Sequence, residues 1–145
     1  MINSWSSFDK ARFTRTLNLA QMGLGNASIR HQAISNNIAN VDTPHYKRKM
    51  ITFESELNRV IAQEEKKPVP FLTTHKNHIP VETPKHYLQV SPNILEEYDS
   101  NYRNDKNNVD IEKEMGDMVK NNMHFNASSI IVSSSFKRIK SVMTA

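Results

Sequence analysis

The residues of this chain that could do chemistry are few. His75 and His78 stand three apart, with His45 and His86 elsewhere. A helical zinc-hydrolase pair needs two His at i and i+4 with a Glu between them. Here the pair lies in a Pro-rich stretch with no Glu inside it, so packing or solvated histidines are expected and no metal site. Cysteine is absent, which removes disulfides, thiolate metal sites and a thiol nucleophile. No nucleophile elbow and no Gly-rich phosphate loop is present, so no enzyme and no cofactor is expected. Lys47-Arg48-Lys49 and Lys137-Arg138-x-Lys140 are basic, and the net charge is +4. Acidic residues are interleaved and aromatics do not cluster with the charges, which argues against a nucleic-acid partner.

The polar chemistry that remains is hydrogen bonding. Ser35, Asn36, Asn37 and Asn40 are short polar groups beside the small Ala39. They can bond across a close helix contact where Leu or Lys would not fit, and buried groups of this kind fix register. Thr43-Pro44 then turns the chain, because Pro cannot continue a helix and pushes the residue before it into an extended shape. Tyr46 and Lys47 are placed to fold back on the helix end.

Two apolar stripes must position this block. Phe13, Leu17, Ala20, Leu24, Ala27, Ile34 and Ile38 fall on alternating four-and-three steps, with His31 in the remaining slot. Ile111, Met115, Met118, Phe125, Val132, Phe136, Ile139 and Met143 repeat the spacing, with Asn122 and Ser129 as polar exceptions. Such a stripe is the geometry of a coiled-coil seam and needs a partner helix. The expected fold class is therefore mainly α: long N- and C-terminal helices form a coiled-coil-like pair around a loop-rich middle with one or two short β-strands.

The expected organisation is a flexible N-terminal tail over 1–9, a helical region with the Asn block over 10–48, a short helix and loops over 49–108, and a C-terminal helix over 109–145. Gly23 and Gly25 weaken the first helix and invite a kink or a break into two. Its stop falls near Asn40, a residue type that tolerates the left-handed conformation past a helix end. Phe53–Ile61 reads as a short helix. Residues 66–108 read as loop with one or two short strands at most, apolar alternation being confined to patches such as Tyr87–Val90. Asp110, Glu112 and Glu114 at the start of the last helix, and Lys137, Arg138 and Lys140 at its end, suit the helix dipole. No apolar run of about 18 residues predicts a transmembrane helix, and Met1–Leu24 lacks the apolar core of a cleavable signal peptide.

Ser35-Asn36-Asn37-Ile38-Ala39-Asn40 and Thr43-Pro44-His45-Tyr46-Lys47 closely resemble the signature of the flagellar axial proteins, S-N-N-[IL]-A-N followed by T-P-x-[YF]-[KR]. The Phe53–Leu57 segment, Thr74–Ile79 and the Asn108–Met115 start of the last helix resemble the small basal-body rod members of that family. One position departs: the family carries a small residue, usually Gly, where this chain has His45. If that position takes a positive φ, His tolerates it better than bulky residues do.

The resemblance implies a non-enzymatic structural subunit of the bacterial flagellar basal-body (proximal) rod. Its implied partners are other flagellar rod proteins, basal-body ring and adaptor proteins and the flagellar export apparatus, with self-association. It further implies export without a cleaved signal peptide to a periplasmic rod. The family signature and register residues would be Ser35, Asn36, Asn37, Ala39, Asn40, Thr43, Pro44, Tyr46 and Lys47. The assembly interface would comprise Leu17, Leu24, Ile34, Ile38, Met115, Met118, Phe125, Val132, Phe136 and Ile139. Two other readings explain the stripes or the charge less completely: a non-flagellar coiled-coil adaptor and a weakly basic nucleic-acid-binding protein.

Overall fold

The computed structural model describes residues 7–65, 86–98 and 104–144. His75 and His78, and the start of the expected N-terminal tail, lie outside the described residues. The elements in order are α1 (Ser7–Ala39), β1 (Lys49–Thr52), α2 (Glu54–Glu65), a single 3-10 turn (Tyr87–Gln89), β2 (Asn93–Glu96) and α3 (Ile111–Met143). They fall into two compact units, one formed by residues 1–51 with 94–145 and the other by residues 52–93.

In the larger unit the two long helices pack against each other and run antiparallel. Asn37 meets Glu114 near the end of one and the start of the other, and Asn121 Nδ2 donates to the Ala27 carbonyl at 2.8 Å. Further along, an ideal Cβ on Gly23 would sit 3.1 Å from Ser128 Oγ, so the backbones approach closely there. α1 runs unbroken through Gly23 and Gly25 rather than splitting. Tertiary packing along the seam outweighs the roughly 1 kcal/mol that each Gly costs a helix.

The seam differs from the expected apolar stripe on α3. Glu114, Asn121 and Ser135 are its buried residues, with Met118, Ser128 and Val132 half-buried. On α1, Ala20, Ala27, Ile34 and Asn37 are buried. Small and polar groups permit the close approach, and the large residues are left beside the seam or outside it. Met115, Phe125, Phe136 and Ile139 are all exposed within the single chain.

α3 begins where its sequence says it should. Asp110 Oδ1 accepts from the backbone N–H groups of Glu112 and Lys113 at 2.9 and 3.3 Å, which satisfies two amides that a helix start leaves without partners. β1 and β2 pair as a two-stranded sheet. Just beyond the strand ends, Glu97 N donates to Arg48 O at 2.9 Å. No described helix is long and apolar enough to cross a membrane.

The smaller unit has its own core of Phe53, Val60, Tyr87 and Val90. Glu54 and Glu56 lie in the first turn of α2, where the helix dipole favours negative charge. Tyr87–Val90, a patch of apolar alternation, does not form a strand. Its backbone closes a 3-10 turn, with Gln89 N donating to the His86 carbonyl at 2.8 Å. Gln89 Oε1 accepts from His86 N at 3.3 Å, and Tyr87 N donates to Glu64 Oε1 at 2.8 Å. Side chains thus capture the amides that a strand would have offered to a neighbour.

A buried polar clamp at the signature segment

The Asn block and the turn after it build one continuous hydrogen-bonded cluster in the larger unit. Asn37 is its centre and is 0% exposed. Its Nδ2 donates to the Lys49 carbonyl at 2.9 Å and to Glu114 Oε2 at 3.0 Å. Its Oδ1 accepts from Lys49 N at 2.9 Å and from the Tyr46 hydroxyl at 3.2 Å. One amide therefore fills its donor and acceptor capacity by tying α1 to β1 and α3, where an apolar side chain would leave each partner stranded.

Glu114 is likewise 0% exposed. Arg48 Nε donates to its Oε1. The rest of the guanidinium reaches Asp117 Oδ2 at 2.9 Å and Glu97 Oε2 at 3.3 Å. Burial pulls the Arg48 pKa down, but the hydrogen bond and charge of Glu114, then those of Glu97, raise it above its ordinary value overall. The Tyr46 hydroxyl is also raised, by burial first and then by the charges of Glu114 and Glu96, so it remains a donor to Asn37. A buried ion pair contributes little net stability against an apolar replacement, but removing one partner leaves a stranded charge. Its effect here is to permit one arrangement of α1, β1 and α3.

A second amide closes the turn. Asn107, 0% exposed, donates from Nδ2 to the carbonyls of Asn40, Val41 and Thr43 at 2.9, 3.0 and 2.9 Å. These carbonyls lie in the turn just past the end of α1, where the helix ladder has stopped. Asn107 Oδ1 accepts from Val109 N at 2.8 Å, just before α3. Asn108 continues the bridge: its Oδ1 accepts from Arg48 N at 2.7 Å and its Nδ2 donates to the Glu97 carbonyl.

The expected register residues are thus divided. Asn37, Tyr46 and Lys47 reach across the clamp, Lys47 through a 3.0 Å bond from Nζ to the Lys106 carbonyl. Asn36 and Asn40 do not cross it. Asn40 Nδ2 instead donates to the Asn36 carbonyl at 2.8 Å, and Thr43 Oγ1 donates to Asn40 Oδ1 at 3.2 Å. Ser35 is half-buried, whereas Ala39, Thr43 and Pro44 are exposed. The left-handed residue is His45, with φ 62°, and not Asn40. The turn after α1 needs its positive φ where the chain reverses to meet Asp105, whose carbonyl accepts from His45 N at 2.9 Å.

Of the residues expected at the assembly interface, Ile34 is buried, and Leu17, Leu24, Ile38, Met118 and Val132 are half-buried. From the sequence, Glu97, Asn107 and Asp117 had no role, Arg48 stood only in a basic run and Glu114 only among the dipole charges of the last helix. Asn107-Asn108 immediately before a helix start, and a Glu four residues after the Asp110 cap, were the available signals. Among the described residues no group of three or more His, Asp or Glu is arranged to hold a metal ion.

Comparison with known proteins gives a consistent result. The family described as "Flagella basal body rod protein" matches residues 17–47, which span most of α1 and the turn after it. A Borrelia hermsii protein named flagellar basal body rod protein FlgB is 35% identical over 90% of this chain and 97% of its own length. Its Borreliella burgdorferi counterpart is 33% identical over the same shares. The Bacillus subtilis protein of that name is 30% identical over 91% of this chain and 95% of its own.

Proposed function

This chain belongs to the FlgB family of flagellar basal body rod proteins and is a structural subunit of that rod, and we propose that its α1–α3 pair is the part through which subunits join. The polar clamp sets the register of the pair, through Asn37 and Tyr46 on one side and Glu114 on the other. The apolar residues that the pair leaves uncovered meet neighbouring subunits. Those neighbours are other axial proteins of the rod and further copies of this chain, with ring and adaptor proteins at the base. The subunit reaches the periplasm through the flagellar export apparatus.

One observation carries the interface reading. α3 presents Ile111, Met115, Val119, Met123, Phe125, Ile130 and Phe136 to solvent although it already packs against α1. Exposed apolar surface of this extent marks an interaction site. Phe136→Asp is the clean test, because this side chain is 58% exposed and lies outside the seam. The variant should keep its thermal stability to within about 0.5 kcal/mol, as exposed substitutions generally do, while swimming and rod assembly are lost. Val132→Asp, at a half-buried seam position, should lose both stability and assembly. Normal swimming with Phe136→Asp would rule out this face as the joining surface.

A further inference from the structure

Seven methionines occur in the chain, and their surroundings divide sharply. Met115, Met123 and Met143 are 59, 65 and 81% exposed. Met22, Met50 and Met118 are half-buried. Met1 lies outside the described residues. The exposed three also share a chemical setting, since each sits on apolar surface. Ile111, Met115, Val119 and Met123 follow one another at steps of four along the outer side of α3, so their side chains form one row. Met143 lines an open groove of about 690 Å³ with Phe13, Ile139 and Val142, between the beginning of α1 and the end of α3.

A thioether on such a surface serves as an apolar contact only while it is reduced. Oxidation to the sulfoxide replaces a flexible apolar side chain with a strongly polar one, and reductases reverse it. We infer that Met115, Met123 and Met143 are sites of reversible oxidation by a peroxide, and that their sulfoxides stop the subunit from joining the rod. In the reaction a sulfur lone pair attacks one peroxide oxygen and the O–O bond breaks. The S–O bond forms, the sulfur loses two electrons, and the other oxygen leaves as water after taking up the proton. Hydrogen peroxide is the oxidant. The sensitive interval is the free subunit, because docking would cover the same sulfurs. The assembly consequence rests on the proposed joining face, whereas the order in which the methionines oxidise does not.

The test has two arms. The purified chain is treated with hydrogen peroxide, and peptide mass spectrometry follows each methionine. Met115, Met123 and Met143 should oxidise several-fold faster than Met22, Met50 and Met118, and methionine sulfoxide reductases should restore them. Equal rates across the two groups would overturn the assignment. In the second arm, cells carrying either the natural chain or the triple variant Met115→Leu, Met123→Leu, Met143→Leu build flagella under sublethal peroxide, and completed basal bodies are counted. The natural chain should lose a larger fraction than the variant, and the corresponding triple Gln variant should build few without any peroxide. Equal losses in the natural and Leu strains would overturn the regulatory role. A triple Gln strain that builds normally would show instead that this face does not join subunits, and would remove the proposed interface along with the inference.

Discussion

Replacing Asn37 by aspartate changes one atom of the side chain and reverses its hydrogen-bonding sense. The two bonds accepted by Oδ1, from Lys49 N and the Tyr46 hydroxyl, survive. The two donated by Nδ2 do not, and a carboxylate oxygen now faces the Lys49 carbonyl at 2.9 Å and Glu114 Oε2 at 3.0 Å. Each buried acceptor left without its donor costs about 1–3 kcal/mol. Two carboxylates at that separation would repel by about 5 kcal/mol at an effective dielectric constant near 20. Arg48 beside Glu114 offsets part of this. The expected loss at neutral pH is about 3–5 kcal/mol, of the size measured when one member of a buried charged pair is mismatched. The pH profile makes the test specific. Two carboxyls in one site raise the folded pKa of the pair, so the folded variant holds a proton more tightly than the unfolded chain does. Stability is then present in acid and lost as pH rises through the raised value. Relative to the natural chain, the penalty should shrink by more than about 1 kcal/mol between pH 7 and pH 4. Asn37→Ala loses the same donors without a charge and should show a penalty of about 2–4 kcal/mol that pH does not change. Urea titrations of all three chains at both pH values provide the readout. A variant within 1 kcal/mol of the natural chain, or one whose penalty ignores pH, would refute the assignment of Asn37 as the donor that Glu114 needs.

The Arg48–Glu114 pair should show strong coupling. Glu114→Ala alone should cost about 3 kcal/mol, near the low end of the range for stranding a buried charge because Asp117 and Glu97 still face Arg48. Arg48→Ala with Glu114→Ala should cost less than the sum of the singles by at least about 1 kcal/mol, read by a double-mutant cycle of denaturation midpoints. His45→Gly should stabilise by about 0.5–1 kcal/mol, since His45 holds a left-handed φ that favours Gly; a raised melting temperature checks it. Gly25→Ala, where an added Cβ meets nothing within 4 Å, should gain up to about 1 kcal/mol, while Gly23→Ala should gain little because its Cβ would press on Ser128.

The helices were legible because their ends are written in local chemistry. Asp110 caps α3, and Thr43-Pro44 keeps α1 from continuing. The Phe53–Ile61 spacing marked most of α2. The face that α3 turns inward was less legible. Apolar spacing favoured Met115, Phe125 and Phe136, but the buried positions are Glu114, Asn121 and Ser135. A polar residue becomes a core residue only when partners from distant segments arrive, and periodicity carries no record of them. Glu114 is buried because Arg48 and Asn37, 66 and 77 positions away, meet it. Asn107 likewise closes α1 from 64 to 67 positions away. The Asn block announced hydrogen bonding, and only the fold separates Asn37, which bridges elements, from Asn36 and Asn40, which bond each other. The positive φ at His45 was visible as a departure from a small-residue position, whereas the one at Lys106, φ 60°, had no such marker.

Because Asn37, Arg48, Asn107 and Glu114 knot the chain together at residues 37–48 and 107–117, the smaller unit of residues 52–93 is an insert fastened at its neck. The entropy of closing such an excursion grows only with the logarithm of its length, so doubling it costs about 0.6 kcal/mol. The fastening makes no demand on what the excursion contains. A chain that keeps these amides and this ion pair can exchange its middle for a smaller or far larger body, and so acquire a new outer surface, without relearning how its two ends find each other.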